Sequence, residues 1–392
     1  MSEVSGDTAQ GYEGVREAFA ANLASGQEIG AAVSAYVNGR RVVDLWGGIA
    51  DPAVGRPWER DTLQVVYSTT KAVTATCALL LAQRGELDLD APVADYWPEF
   101  AAAGKDRIPV RWLLTHQAGL PTLDQPISRA AAIAWYPMVE ALAAQRPSWE
   151  PGTAHGYHGL TYGWLVGEVV RRVSGRTIGT YLAEEIAAPL GLDLWIGLPK
   201  TEHHHVSRVV IPPPDPDALS RIDMDALPEP ARDMMAAFAD PTSLTVRSLL
   251  TLVTPRLDHN DPEEQSAEMP STGGICTARA LARFYAALIG EVDGHRILTA
   301  DTVAAAAAER VSGVDRVLRV PVRIGTGFGL PTPDAFWYSP TAFGFGGFGG
   351  SLGFADPATG LAFAYVMNHV QEGVPDRRAA TLLDAVRRVT AA

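Results

Sequence analysis

Apolar positions in this chain follow three different spacings. Val15, Phe19 and Leu23 recur every four residues, the interval at which helical side chains share a face, and Ser25-Gly26 supplies a stop, so a helix is expected over about residues 11–23. Residues 29–37 and 41–46 instead read as two strands, joined by Asn38-Gly39, a strong short hairpin signal. The third pattern is apolar on every side: Ala72, Val73, Ala75, Cys77, Ala78, Leu79, Leu80, Leu81 and Ala82 predict a buried helix, closed by Gly85.

A turn-rich link over 85–93 leads into mostly helical signals at 110–114, 130–144, 161–173 and 178–187. Residues 198–268 carry little period and two proline-rich runs, Ile211-Pro212-Pro213-Pro214-Asp215-Pro216 and Leu227-Pro228-Glu229-Pro230; a lid or rim and a plain surface excursion both fit. Helices are then expected at 277–289 and 300–310, strands at 317–324, 328–330, 351–355 and 361–367, and a last amphipathic helix at 377–389. Strands near both chain ends imply an α+β fold: one antiparallel sheet flanked by terminal helices, with a helix-rich insertion. The expected division is residues 1–75 with 265–392 as the sheet-bearing domain and 76–264 as the insert, its Pro-rich irregular part at about 198–264.

Composition narrows the functional classes. With 392 residues, 47% hydrophobic and 20% charged, the chain can bury a large core. Its formal net charge of −13 offers no basic stripe for nucleic acid. Residues 1–7 lack the basic and apolar regions of a secretory signal, and no apolar run reaches membrane-span length, so a cytoplasmic protein without a membrane partner is expected. Two cysteines, Cys77 and Cys276, make no disulfide framework.

Candidate chemistry begins at Ser68-Thr69-Thr70-Lys71. Positions three apart on a helix lie about 5–6 Å apart at Cβ, so Lys71 can reach the Ser68 hydroxyl. A serine needs an adjacent base, and a lysine serves once burial or the helix dipole lowers its pKa. Ser68 as a simple N-cap and Lys71 as a surface residue is the competing reading. In Glu150-Pro151-Gly152-Thr153-Ala154-His155-Gly156-Tyr157-His158-Gly159, Tyr157 sits in a Gly-flanked loop where its phenol can face a cleft, or can simply pack. Phe343-Gly344-Phe345-Gly346-Gly347-Phe348-Gly349-Gly350 has the glycine density that lets backbone N–H groups approach a ligand, or that merely loosens a loop. Gly349-Gly350-Ser351-Leu352-Gly353 matches G-x-S-x-G, but a strand follows where the nucleophile elbow requires a helix, and the only later histidine is His369. His203-His204-His205 has no companion metal motif and reads as an exposed loop; neither a metal nor a cofactor is expected.

In this order and spacing, Ser68-Thr69-Thr70-Lys71, Leu113-Leu114-Thr115-His116-Gln117-Ala118-Gly119-Leu120, Pro151-Gly152 with Tyr157, and the glycine-rich strand resemble the serine β-lactamase and penicillin-binding-protein superfamily. Within it the chain is most similar to the class C β-lactamase-like esterases, the family VIII carboxylesterases, from about residue 12 to the carboxyl end. The resemblance implies a β-lactamase/transpeptidase-like fold, Ser68 as acylated nucleophile, Lys71 and Tyr157 as the proton-handling pair, and the Ser68 and Phe348 N–H groups as oxyanion hole. It makes His116 a structural turn residue and places Phe345, Gly346, Gly347 and His158 at substrate-binding positions. Tyr157-His158-Gly159 replaces the Tyr-x-Asn of the lactamases and peptidases, and Phe345-Gly346-Gly347 replaces their Lys-Thr-Gly. Losing that amide and that cation favours neutral small-molecule esters. An acyltransferase, a β-lactam or D-amino peptide hydrolase, and a binding module that is acylated without turnover remain as alternatives. Oligomeric state is not legible.

Overall fold

The computed structural model describes residues 4–213, 227–332, 338–371 and 376–390. Among these, ten strands form one sheet in the spatial order Val4–Thr8, Arg40–Asp51, Gly30–Val37, Leu361–Met367, Leu352–Asp356, Phe343–Gly346, Gly329–Leu330, Pro321–Ile324 and Val311–Val314, with Arg56–Pro57 added against Arg40–Asp51. All of these neighbours pair antiparallel. The first and last parts of the chain meet where Gly30–Val37 pairs with Leu361–Met367. The fold is the α+β, β-lactamase/transpeptidase-like class expected from the sequence.

Both faces of the central strands are covered, and the period of two sorts them. Leu361, Phe363, Tyr365 and Met367 point to one side with Ala31, Val33 and Ala35, where the terminal helices Glu13–Ala24 and Arg378–Thr390 bring Val15, Phe19, Leu382 and Val386. Ala362, Ala364 and Val366 point to the other side, onto the helix Ala278–Ile289 and the large core beyond it. The helix Thr70–Gln83 lies within that core, every side chain from Thr70 to Leu81 being buried. It packs on Thr161–Ser174, so the Ser68 turn is held by an element with no solvent face.

Four expectations need correction. The helix foreseen at 130–144 is two, Arg129–Ile133 and Tyr136–Ala144, because Trp135 takes φ +67° and donates its indole N–H to Glu168 Oε2 at 3.0 Å. The segment 198–268 is not irregular throughout. It holds a 3-10 turn at Lys200–His205 and helices at Glu229–Ala239, Leu244–Leu249 and Pro262–Ser266, while Pro214, Asp215 and Pro216 lie outside the described residues. The strand expected at 317–324 begins only at Pro321, and an unforeseen partner, Val311–Val314, precedes it. The amino-terminal strand Val4–Thr8 was likewise unforeseen. Cys77 and Cys276 are free and buried, and among the described residues no helix is long and apolar enough to cross a membrane.

Candidate active site

Ser68 stands at the only half-exposed position of a buried turn. The strand Gln64–Val65 ends in a 3-10 turn, Tyr67–Thr69, that runs straight into Thr70–Gln83. Tyr67 adopts φ +47°, a region bulky side chains rarely enter. Two bonds hold it there: Thr70 Oγ1 donates to Tyr67 O at 2.5 Å and accepts from Gly274 N at 2.8 Å. The Ser68 hydroxyl is thereby presented to a cavity of about 760 Å³ while its neighbours stay buried.

Lys71 and Tyr157 converge on that hydroxyl. Lys71 Nζ lies 3.2 Å from Ser68 Oγ, and the Tyr157 phenol donates to the same oxygen at 2.7 Å. The lysine is fully buried, and its other acceptors are backbone carbonyls, Gly159 O at 2.7 Å and Ser271 O at 3.2 Å. Among the described residues no carboxylate offsets its desolvation, so burial holds its pKa well below the ordinary lysine value. Burial pushes the Tyr157 phenol the other way, above its usual value; the Ser68 bond opposes this and Asp315 adds to it. The phenol therefore keeps its proton at neutral pH.

The loop carrying Tyr157 is tied at its backbone. Asp315 Oδ1 accepts from Tyr157 N at 3.0 Å and from Val317 and Leu318 N at 2.8 Å each. Ser271 accepts from Gly163 N and donates to Leu160 O, both at 2.6 Å, which fixes the helix that follows Tyr157 to the strand side of the site. His116 is buried with φ +61°; its Nδ1 accepts from His158 N at 3.1 Å, and burial keeps it uncharged. It serves the turn, as the resemblance implied.

The glycine-rich segment splits into the strand Phe343–Gly346 and a tight turn, Phe348–Gly350. Phe345, Gly346 and Phe348 line the cavity with Ser68, and the Phe345 ring stacks on Tyr157 at 6.3 Å between centroids. Gly347 faces the Ser68 turn instead. A Cβ there would stand 2.2 Å from both Ser351 Oγ and Val66 O. Neither the Ser68 nor the Phe348 N–H donates to a described residue outside its own turn.

His158 does not reach the cavity. Its ring is buried, with Nε2 accepting from Leu120 N at 2.9 Å and Nδ1 paired to Gly156 O at 2.7 Å, and burial lowers its pKa to about 3. The sequence placed it at a substrate-binding position; here it braces the Tyr157 loop, because an imidazole can satisfy two backbone groups at once. Ser351 is 2% exposed and donates to Val66 O at 2.9 Å, with Thr69 Oγ1 at 3.3 Å. It supports the Ser68 turn and has no histidine partner. His203, His204 and His205 lie on the 3-10 turn, and among the described residues no three His, Cys, Asp or Glu side chains are grouped so that they could hold a metal ion.

Sequence reasoning did not single out Asp315, Ser271, Tyr67 or His259. His259 lines the cavity and meets Tyr67 edge to face at 4.8 Å. Much of the wall comes from the long segment that offered two readings: Val209, Ile211, Phe238, Leu249 and Leu250 line the cavity, so the segment forms its rim.

A family model described as Beta-lactamase matches residues 15–388. Esterase/beta-lactamase LipL of Mycobacterium tuberculosis is 36% identical over 361 residues, which cover 91% of this chain and 81% of that protein. Among solved structures, a penicillin-binding protein homologue from Caulobacter crescentus is 41% identical, with a TM-score of 0.85 over 99% of this chain and 100% of that one. A family VIII carboxylesterase is 37% identical, with a TM-score of 0.84 over the same shares.

Proposed function

The chain belongs to the beta-lactamase family, and from that premise we propose that it is a serine carboxylesterase acting on neutral esters through an acyl-enzyme on Ser68. The observation that carries this reading is the position of Ser68 Oγ, 3.2 Å from a buried lysine amine and 2.7 Å from the half-buried Tyr157 phenol. A neutral amine has two N–H bonds and one lone pair. Gly159 O and Ser271 O take the two hydrogens, which leaves the lone pair for the Ser68 proton.

Ser68 Oγ attacks the ester carbonyl as Lys71 takes its proton. The carbonyl oxygen gains charge opposite the N–H groups of Ser68 and Phe348. When the tetrahedral adduct collapses, the C–O bond to the alcohol breaks, and the proton held by Lys71 reaches the departing oxygen through the Tyr157 phenol. Water then attacks the acyl-enzyme by the same route in reverse.

Two features favour neutral, apolar substrates. Phe345, Gly346 and Phe348 bring no charge beside Ser68 to repay desolvation of a substrate carboxylate, and of the arginines in the same wall Arg323 is paired with Glu309 and Arg256 donates to Leu250 O. Further out the wall includes Leu249, Leu250, Val253, Leu257, Leu318 and Ile324. Each methylene moved into such a wall is worth about 0.8 kcal/mol, about fourfold in kcat/KM, until the cavity is filled.

The test combines labelling with mutation. A fluorophosphonate should modify Ser68 alone. Ser68→Ala should abolish hydrolysis of nitrophenyl esters, and Tyr157→Phe should lower kcat by about 10²–10⁴. An active Ser68→Ala protein, or a labelled protein with no steady-state turnover on any ester of the acetate-to-octanoate series, defeats the esterase reading.

A further inference from the structure

Beneath the Phe348–Gly350 turn lies a guanidinium that the chemistry above does not use. Arg378, at the start of the carboxyl-terminal helix, is 1% exposed and among the largest fully buried side chains. Its Nη2 donates to Gly349 O at 2.7 Å and to Asp376 Oδ2 at 2.7 Å. Nε donates to Asp376 Oδ1 at 3.0 Å, and Nη1 to Glu28 Oε1 at 3.0 Å, His369 O at 3.0 Å and Gln27 O at 3.3 Å. Tyr365 donates its hydroxyl to the other Glu28 oxygen.

The turn rests directly on this cluster. A Cβ on Gly350 would come within 2.3 Å of Asp376 Oδ2 and 3.0 Å of Arg378 Nη2. On its opposite side the same turn is tied to the nucleophile: Gly347 N donates to Ser351 O at 2.7 Å, and Ser351 Oγ donates to Val66 O. Four residues, closed by Gly350 N to Gly347 O at 3.2 Å, are thus clamped between the Ser68 turn and Arg378.

Burying a guanidinium is costly, and apolar packing usually stabilises a core as well or better. What apolar packing cannot do is fix the direction of a peptide carbonyl. We propose that Arg378, locked by Asp376 and Glu28, is a positioning residue of the oxyanion hole: by holding the Gly349 carbonyl it fixes the Gly349–Gly350 peptide, whose N–H donates to Gly347 O, and the Gly347–Phe348 peptide held in this way carries the Phe348 N–H. This rests on the Ser68 reading above.

An oxyanion donor acts on the tetrahedral state and little on the bound ester. Arg378→Lys keeps the charge but cannot serve Gly349 O, Asp376 and Glu28 together. We expect at least a tenfold fall in kcat, a KM within about twofold of wild type, and an equal fall in affinity for phenylboronic acid, whose serine adduct is tetrahedral. Asp376→Asn should give the same pattern to a smaller degree, and carries the test should Arg378→Lys fail to fold. Variants that melt earlier yet keep wild-type kcat and boronate affinity would make the cluster a structural tie only and overturn the proposal. Wild-type protein in which fluorophosphonate leaves Ser68 unlabelled would instead overturn the Ser68 reading on which it rests.

Discussion

Replacing Gly347 by alanine separates close approach from backbone freedom. Gly347 has φ −112° and ψ 159°, extended values any residue adopts, so alanine meets no conformational penalty there. Its new Cβ, however, would lie 2.2 Å from Ser351 Oγ and Val66 O and 3.1 Å from Thr69 Oγ1. Opening the 2.2 Å contacts even to 3.0 Å takes about 0.8 Å of separation between the glycine-rich segment and the nucleophile turn. An oxyanion donor works at about 2.7–3.1 Å, so that movement removes the Phe348 N–H from range and costs about 10²–10³ in kcat, or 2.7–4 kcal/mol. Overpacking adds about 1–3 kcal/mol of lost stability. Steady-state hydrolysis of a nitrophenyl ester and urea unfolding measure the two effects separately. Gly346→Ala is the control, because its Cβ would find nothing nearer than Ser351 O at 3.8 Å. Wild-type kcat in Gly347→Ala, or an equal loss in Gly346→Ala, would refute the reasoning.

The pH dependence follows from two opposite shifts. In the proposed mechanism Lys71 acts as base only when neutral, and its folded pKa is depressed by burial, so kcat/KM should fall as pH drops through that depressed value and be on its plateau well below pH 10.5. Tyr157 must keep its proton, and burial raises its pKa above 10.0, so no alkaline loss from this group should begin before pH 10; an alkaline limb that starts near neutrality and vanishes in Tyr157→Phe would contradict this. Asp315→Ala strips one acceptor from the Tyr157, Val317 and Leu318 N–H groups and should cost about 2–4 kcal/mol of stability together with kcat. Asp315→Asn keeps an oxygen in place and should recover most of both, as urea unfolding and ester hydrolysis would reveal.

How much of this was legible depends on the distance in sequence over which each signal acts. The buried helix and the Ser68–Lys71 spacing are properties of a dozen consecutive residues, and the alternation within 361–367 is equally local. The helix at Glu229–Ala239 was hidden by prolines: Pro228 and Pro230 read as breakers, yet Pro230 occupies the first turn, where its missing N–H costs nothing. The break at Trp135 had a comparable mark in Pro137, at the start of the second helix. Val311–Val314 is an edge strand with no buried residue, so no alternation announced it.

The supports of the site belong to a different class. Asp315 meets Tyr157 across 158 residues and Ser351 meets Val66 across 285, and a single sequence marks neither pairing. Ser351 shows why this matters. Its glycine-flanked motif drew attention as a possible nucleophile, a role its burial excludes. The same glycines let the segment press against the nucleophile turn, and the serine hydroxyl is the bond made at that contact. The motif thus pointed to the right place for a reason that becomes visible only when both turns are in view. The proposed esterase chemistry on Ser68 needs two N–H groups from distant parts of the chain held within tenths of an ångström. A glycine that admits contact, a buried serine that makes it, and an arginine beneath are what an irregular, side-chain-poor turn requires to be held that rigidly.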